Sequence, residues 1–172
     1  MWLIRDHITV NWMPLVWNRL CLPKVNLICW MYVLHRFMTK DRLMRYGVIS
    51  SDLCDLCGIA QETHSYLFFD CGSQRCLILL KQWLDIDWNG DLTMWIIPWR
   101  CRSLLRKKVI MAALATLIYS IWQNRNTTGH EGLVQHPVAV LRWIKPSLKK
   151  RFLQVKESTR HNSSWIDSLD LV

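Results

Sequence analysis

Hydrophobic residues recur along most of this chain at intervals of three and four, the spacing of one face of an α-helix. The strict alternation typical of strands is rare. Thr39 stands where a helix N-cap belongs, and Gly47 stands where a left-handed C-terminal cap belongs. The chain is therefore predicted to be mainly α. In its first half the predicted helices cover residues 14–22, 24–37, 40–46 and 63–84.

The most apolar helix is predicted to begin after Ser103 and to continue to about Asn124. Its stretch 109–122 is apolar apart from two hydroxyl residues. At ~1.5 Å per residue this stretch reaches roughly 21 Å, well short of the ~30 Å hydrocarbon core of a bilayer. A buried core helix is predicted rather than a membrane span. Residues 127–132 are predicted to form a polar linker.

These elements divide the chain into four predicted parts. Residues 14–84 form a small helical domain around a zinc-knuckle-like loop that carries Cys54 and Cys57. Residues 85–126 form a loop plus a long apolar helix that packs on this domain. Residues 133–160 form a basic helical extension, kinked or broken at Pro146. Residues 161–172 form a frayed tail. With 51% hydrophobic and 20% charged residues, the chain has the composition of a core-forming protein.

The formal net charge of +9 favours polyanionic partners. Trp143 or Phe152 is a candidate for stacking on bases. An alternative stays open, in which this segment is a solvated helix face whose apolar side packs on the core. The candidate phosphate contacts are the basic side chains of the C-terminal segment: Arg142, Lys145, Lys149, Lys150, Arg151 and Lys156.

The candidate chemistry lies in the stretch 54–71. Cys54 and Cys57 form a C-x2-C knuckle, and Cys71 follows fourteen residues later. A structural zinc site needs four ligands drawn from Cys and His. Cys54, Cys57 and Cys71 are three candidate ligands, and the identity of the fourth ligand is open. His64 closes the site only if residues 62–66 are loop, because in a regular helix it lies about 10 Å from Cys71. Cys76 is the alternative, and three buried thiols without metal are the third interpretation.

Neither secretion nor catalysis is expected. The cysteine count of seven is odd, and charged residues interrupt the N-terminal apolar stretch, so an intracellular, nuclear or cytoplasmic location is predicted. Two-metal polymerase chemistry needs converging carboxylates, and no two acidic residues are adjacent in the sequence. A phosphate-binding glycine loop, a nucleophile elbow and an H-E-x-x-H motif are also missing from it.

Several short motifs occur in a fixed order: Val16-Trp17, Pro23-Lys24-Val25, Trp30, residues 39–47, Cys54-x2-Cys57-Gly58, Glu62-Thr63 and residues 67–71. Together they resemble the zinc-binding domain of plant non-long-terminal-repeat retrotransposon reverse transcriptases, here as a fragment without the polymerase. The resemblance covers residues 14–84 well and 110–126 loosely. The family places a histidine directly before Leu-Phe-Phe, where this chain has Tyr66, which is not a usual zinc ligand.

The resemblance implies a non-catalytic module that holds a structural Zn²⁺ and associates with nucleic acid. Its expected partners are RNA or DNA, bound without sequence preference, and a reverse transcriptase acting in trans. No membrane and no small-molecule substrate is expected. The alternative is a metal-free, degenerate helical remnant with only a structural or protein-interaction role.

Overall fold

The computed structural model describes residues 12–86 and 104–158. A single π-helical turn, Tyr66–Asp70, precedes the fourth helix. These two ranges contain no strand, only one isolated antiparallel bridge between Leu53 and Gln61. The predicted mainly α fold is confirmed. The α-helices are α1 (Met13–Val16), α2 (Pro23–Val33), α3 (Lys40–Arg45), α4 (Gln74–Leu84), α5 (Leu104–Glu131) and α6 (Pro137–Ser158).

Helix α5 lies at the centre of the fold, in contact with α1, α2, α4 and α6. Every residue from 109 to 121 is buried, as expected for a core helix. The two hydroxyl groups in this stretch bond within the helix, Thr116 to the Ala112 carbonyl at 2.7 Å and Ser120 to the Thr116 carbonyl at 2.8 Å. Within the described ranges, no helix has the length and apolarity needed to cross a membrane.

Helix α5 continues through the predicted linker. Its last turns are polar, but the Thr128 hydroxyl donates a hydrogen bond to the Asn124 carbonyl at 2.8 Å. This bond satisfies the hydroxyl inside the helix, without water. Gly132, with φ of +70°, then ends the helix. Helix α6 begins at Pro137, as the sequence predicts, and is not broken at Pro146, which lies inside it. The prediction of a break is therefore wrong.

Helix α3 ends as its sequence predicts. Gly47 has φ of +69°, its N–H bonds the Met44 carbonyl at 2.9 Å, and the Val48 N–H bonds the Leu43 carbonyl at 3.0 Å. This pair of bonds is a Schellman motif. The start of the helix differs from expectation, since the Thr39 hydroxyl bonds the Asp41 carboxylate and caps no backbone N–H.

The predicted helix 63–84 is interrupted. The π turn ends at Asp70, Cys71 adopts extended backbone with ψ of 169°, and α4 begins at Gln74. The apolar residues keep their helical spacing across this break, so the spacing alone does not predict the break. Most of the predicted loop in 85–102 and the predicted tail 161–172 lie outside the described residues.

The packing around α5 yields a first prediction. Ala113 is fully buried in α5, so Ala113→Leu adds volume where the neighbouring helices leave no room. We expect the free energy of unfolding to fall by about 1–3 kcal/mol, measured by urea denaturation. Gln123→Leu, at an exposed position of the same helix, is the matched control and is expected to stay within about 0.5 kcal/mol. Equal effects of the two variants would contradict this packing.

Candidate metal centre

The first two cysteines lie on a tight loop, residues 53–61, which we call the knuckle loop. The Leu53–Gln61 bridge closes it, and the Cys54 N–H bonds the Ala60 carbonyl at 2.9 Å. The Gly58 N–H bonds the Cys54 carbonyl at 2.8 Å, and Gly58 has φ of +66°. Since this left-handed conformation favours glycine, Gly58 allows the chain to reverse directly behind Cys57.

Cys71 reaches the loop because the helix breaks at this residue. Its N–H bonds the Tyr66 carbonyl at 2.9 Å and closes the π turn. Ser73 fixes the far side of the break by donating its hydroxyl to the Leu67 carbonyl. The extended backbone at Cys71 thus removes its side chain from the helical row and brings its sulfur to the knuckle loop.

The sulfur atoms of Cys54, Cys57 and Cys71 all lie within 4.8 Å of one another. The Cys54 and Cys71 sulfurs are 3.7 Å apart. A tetrahedral zinc ion with Zn–S bonds of about 2.3 Å places two sulfurs roughly 3.8 Å apart, so this pair already has the required spacing. The three thiols therefore fit a zinc ion. Cys54 and Cys71 are buried, and Cys57 is half-buried.

The Cys54–Cys71 contact makes the two thiols unequal. The hydrogen bond from Cys54 lowers the pKa of Cys71, while the same bond, together with burial, raises the pKa of Cys54. Cys71 is therefore the one of the two that loses its proton first. Because thiolates are the metal-binding form, an ion that binds at this cluster would release protons.

Tyr66 stands at the edge of the cluster. Its hydroxyl oxygen lies 3.2 Å from the Cys57 sulfur. This hydrogen bond raises the pKa of Tyr66 to about 12, the direction expected when a phenol donates. The side chain is therefore a neutral phenol at physiological pH. It supplies a hydrogen bond to the cluster, but it lacks the negative charge of an anionic oxygen ligand.

The structure does not bring His64 to the three thiols. Helix begins at His64, and its ring packs among aromatic side chains, 4.3 Å from the His35 ring centroid, 4.8 Å from Tyr32 and 5.4 Å from Phe68. Cys76 also lies outside the cluster of three thiols. It is buried within α4, burial raises its pKa to about 11, and it lines a separate cavity of about 190 Å³. Among the residues of 12–86 and 104–158, the group of Cys, His, Asp and Glu side chains positioned to share one ion is Cys54, Cys57 and Cys71.

A buried ion pair holds the knuckle loop against α5. Glu62 is fully buried, and Arg125 of α5 donates to its carboxylate from Nη2 at 2.7 Å and from Nε at 3.0 Å. The same carboxylate accepts the Lys40 N–H at 3.0 Å and the Asp55 N–H at 3.4 Å. Glu62 lies in one of the sequence motifs and Arg125 in the loosely matching stretch 110–126, but the sequence gives no sign that they pair, because the two residues lie 63 positions apart.

Asp55 adds a second contact between the loop and α5. It pairs with Lys40, and its Oδ2 lies 3.8 Å from Arg125 Nε. A Cβ atom at Gly129 would lie 3.1 Å from Asp55 Oδ2, so the glycine permits this close approach. The loop that carries Cys54 and Cys57 is thus fixed by charged groups on two other elements.

The candidate phosphate contacts differ in exposure. Arg142, Lys149 and Lys150 are exposed, whereas the Lys145 ammonium lies 5.5 Å from the Trp83 ring centroid. Arg151 is half-buried and donates to the Cys21 carbonyl at 3.5 Å. The side chain of Lys156 lies outside the described part.

The two candidate stacking residues also differ in exposure. Trp143 is 43% exposed, but Phe152 is buried, so the prediction that Phe152 stacks on bases is wrong. Phe152 lies on the apolar side of α6, which packs on the core, while the exposed side of the same helix carries the basic residues.

The fold and the cysteine cluster define a small helical domain with a candidate metal site. A family model described as zinc-binding in reverse transcriptase matches residues 1–77, which include the knuckle loop, Glu62, Tyr66 and Cys71. The match supports a reverse transcriptase zinc-binding domain fragment, so the predicted resemblance to that domain is confirmed over these residues. That family is an accessory domain and not the catalytic polymerase domain. Neither the curated proteins nor the solved structures contain a match.

The buried ion pair yields a second prediction. Arg125→Gln leaves the Glu62 carboxylate buried without its guanidinium partner, so we expect the free energy of unfolding to fall by about 3–5 kcal/mol. Arg45→Gln is the matched control, because Arg45 is 69% exposed and its pair with Asp41 is an i,i+4 surface contact. The control is expected to lower the free energy of unfolding by less than about 1 kcal/mol. Urea denaturation of both variants in the same metal state checks the difference. An effect at Arg125 no greater than at Arg45 would show that the pair does not anchor the loop.

Proposed function

We propose that this chain is a non-catalytic module, derived from a reverse transcriptase, that binds a structural Zn²⁺ and associates with RNA or DNA. The observation that carries the proposal is the convergence of three thiols within 4.8 Å, inside a segment that matches the zinc-binding family. Catalysis is not part of the proposal, because the sequence lacks an adjacent acidic pair. The proposed setting is intracellular, in the nucleus or cytoplasm.

Cys54, Cys57 and Cys71 would hold the zinc ion. A bound ion would supply a cross-link between the knuckle loop and the break before α4, two segments that no disulfide joins. In structural zinc sites such cross-links contribute folding free energy directly. The proposed role of the ion is therefore to stabilise the domain.

The exposed face of α6 is the proposed nucleic-acid surface. Arg142 and Lys149 are seven residues apart, which places them on the same side of the helix and about 10 Å apart along its axis. Lys150 extends the charge around the helix. Such a row suits contacts with successive phosphates, which give affinity without sequence preference. A reverse transcriptase acting in trans is the proposed protein partner.

The zinc proposal predicts one ion per chain, measured by elemental analysis of protein purified without chelator. Cys54→Ser is expected to lose the ion, because it removes one of three thiolates. Cys76→Ala and His64→Ala are the matched controls and are expected to keep it, because neither side chain joins the cluster.

A chelator is expected to lower the thermal midpoint of the wild type and to leave that of Cys54→Ser unchanged. The second candidate function, a metal-free helical remnant, is favoured by Tyr66 at the position of the family histidine. It predicts no zinc in the wild type and a midpoint that does not respond to chelator, so these two measurements decide between the candidates.

The nucleic-acid proposal predicts salt-sensitive binding to a single-stranded RNA or DNA oligonucleotide, measured by fluorescence anisotropy. Reversing Arg142, Lys149 and Lys150 to Glu is expected to reduce the slope of log affinity against log salt by about 0.7 to 0.9 for each phosphate that the variant no longer binds. The matched control reverses Arg19, Arg36 and Arg75, which are exposed on other segments and change the net charge by the same amount. Equally weakened binding in both triple variants would mean that only total charge matters and that α6 is not the surface.

A further inference from the structure

Tyr66 occupies the place that the zinc-binding family gives to a histidine. At this place the chain has a hydrogen-bonding hydroxyl group in place of a zinc ligand. Its hydroxyl oxygen lies at hydrogen-bond distance, 3.2 Å, from the Cys57 sulfur. In the part of the chain that the structure describes, no histidine or carboxylate joins the three sulfurs. Cys54, Cys57 and Cys71 thus have a hydrogen-bond donor beside them where a related domain has a fourth ligand.

We infer, on the basis of the proposed zinc site, that three thiolates hold the ion, that its fourth position is open to water or another small ligand from solution, and that Tyr66 donates a hydrogen bond to Cys57. A zinc ion with three protein ligands holds such a small ligand in its fourth position. Tyr66 is then a positioning residue, which orients the Cys57 thiolate and withdraws part of its charge.

The exposure of the cluster shows where such a donor enters. Cys54 is 1% exposed and Cys71 is 2% exposed, so solvent does not reach the ion past either sulfur. Cys57 and Tyr66 are both half-buried, so the cluster is less enclosed on their side. A small ligand from solution therefore approaches past Cys57, beside the Tyr66 hydroxyl.

His64 does not compete for this position. Its ring lies within 5.4 Å of the ring centroids of His35, Tyr32 and Phe68, so turning it toward the cysteines would break these aromatic contacts. The chain therefore keeps His64 in the core and leaves the fourth position to an external donor.

The test uses Co²⁺ in place of zinc, because its visible spectrum reports the number and type of ligands. The full-length wild type, Tyr66→Phe and Tyr66→His are each loaded with Co²⁺ and titrated with imidazole. We expect the wild-type spectrum to shift in a saturable way. Tyr66→Phe should give the same ligand-field bands and the same response of these bands to imidazole, with Co²⁺ affinity about 10- to 100-fold lower because the hydrogen bond to Cys57 is removed. Tyr66→His should resemble the imidazole-saturated wild type from the start and should not respond.

Three results would overturn the inference while leaving a metal site in place. The first is a wild-type spectrum that shows thiolate coordination but ignores imidazole. The second is a change of the ligand-field bands in Tyr66→Phe before imidazole is added, which would make Tyr66 a ligand. The third is a wild-type spectrum that changes in His64→Ala or in Cys101→Ser, a cysteine outside the described residues, which would identify a fourth ligand from the protein. Absence of any thiolate-to-cobalt band in the wild type would instead overturn the zinc function itself, and this inference with it.

Discussion

The burial of the Glu62 carboxylate is the constraint on which the arrangement of the cysteines depends. A carboxylate removed from water is tolerated only when its oxygens are fully bonded and its charge is paired. Here the bonds come from Arg125 of α5 and from the backbone N–H groups of Lys40 and Asp55. One side chain thus ties the start of α3, the knuckle loop and the central helix together, and displacing any of the three leaves a charge unsatisfied.

This anchoring contributes to the positions of the cysteines through contacts of the protein itself. The knuckle loop is held to α5 through Glu62, while Cys71 is held at the helix break by its own N–H and by Ser73. These contacts bring the sulfurs of Cys54 and Cys71 to 3.7 Å from each other. Because the same contacts order both segments, an ion that binds here would not bear the full entropic cost of ordering them. Such a site retains affinity with fewer ligands than a site that folds around its ion.

Hydrophobic spacing predicts the helical class, the buried helix α5 and the glycine cap after α3, because each depends on residues close in sequence. It does not predict the break at Cys71, since the apolar rows of the π turn and α4 follow one another without a gap. The last turns of α5 have the composition of a linker, yet their polar side chains bond inside the helix, as Thr128 shows. Hydrophobic spacing also does not predict the position of His64, because the rings of Tyr32 and His35 that pack against it lie about thirty residues away in the sequence.

The two proposed activities of the chain rest on different elements. Helix α6, with its exposed basic residues, packs on α4 and α5, while the knuckle loop contacts α5 through Glu62 and Asp55. In the described part of the chain, the basic residues of α6 and the cysteine cluster thus lie on different elements, both of which pack on α5. A change at the metal centre, such as tyrosine in place of a ligating histidine, leaves the charge of α6 and its support intact. A zinc site with three protein ligands and the proposed nucleic-acid surface are thus physically compatible in this fold.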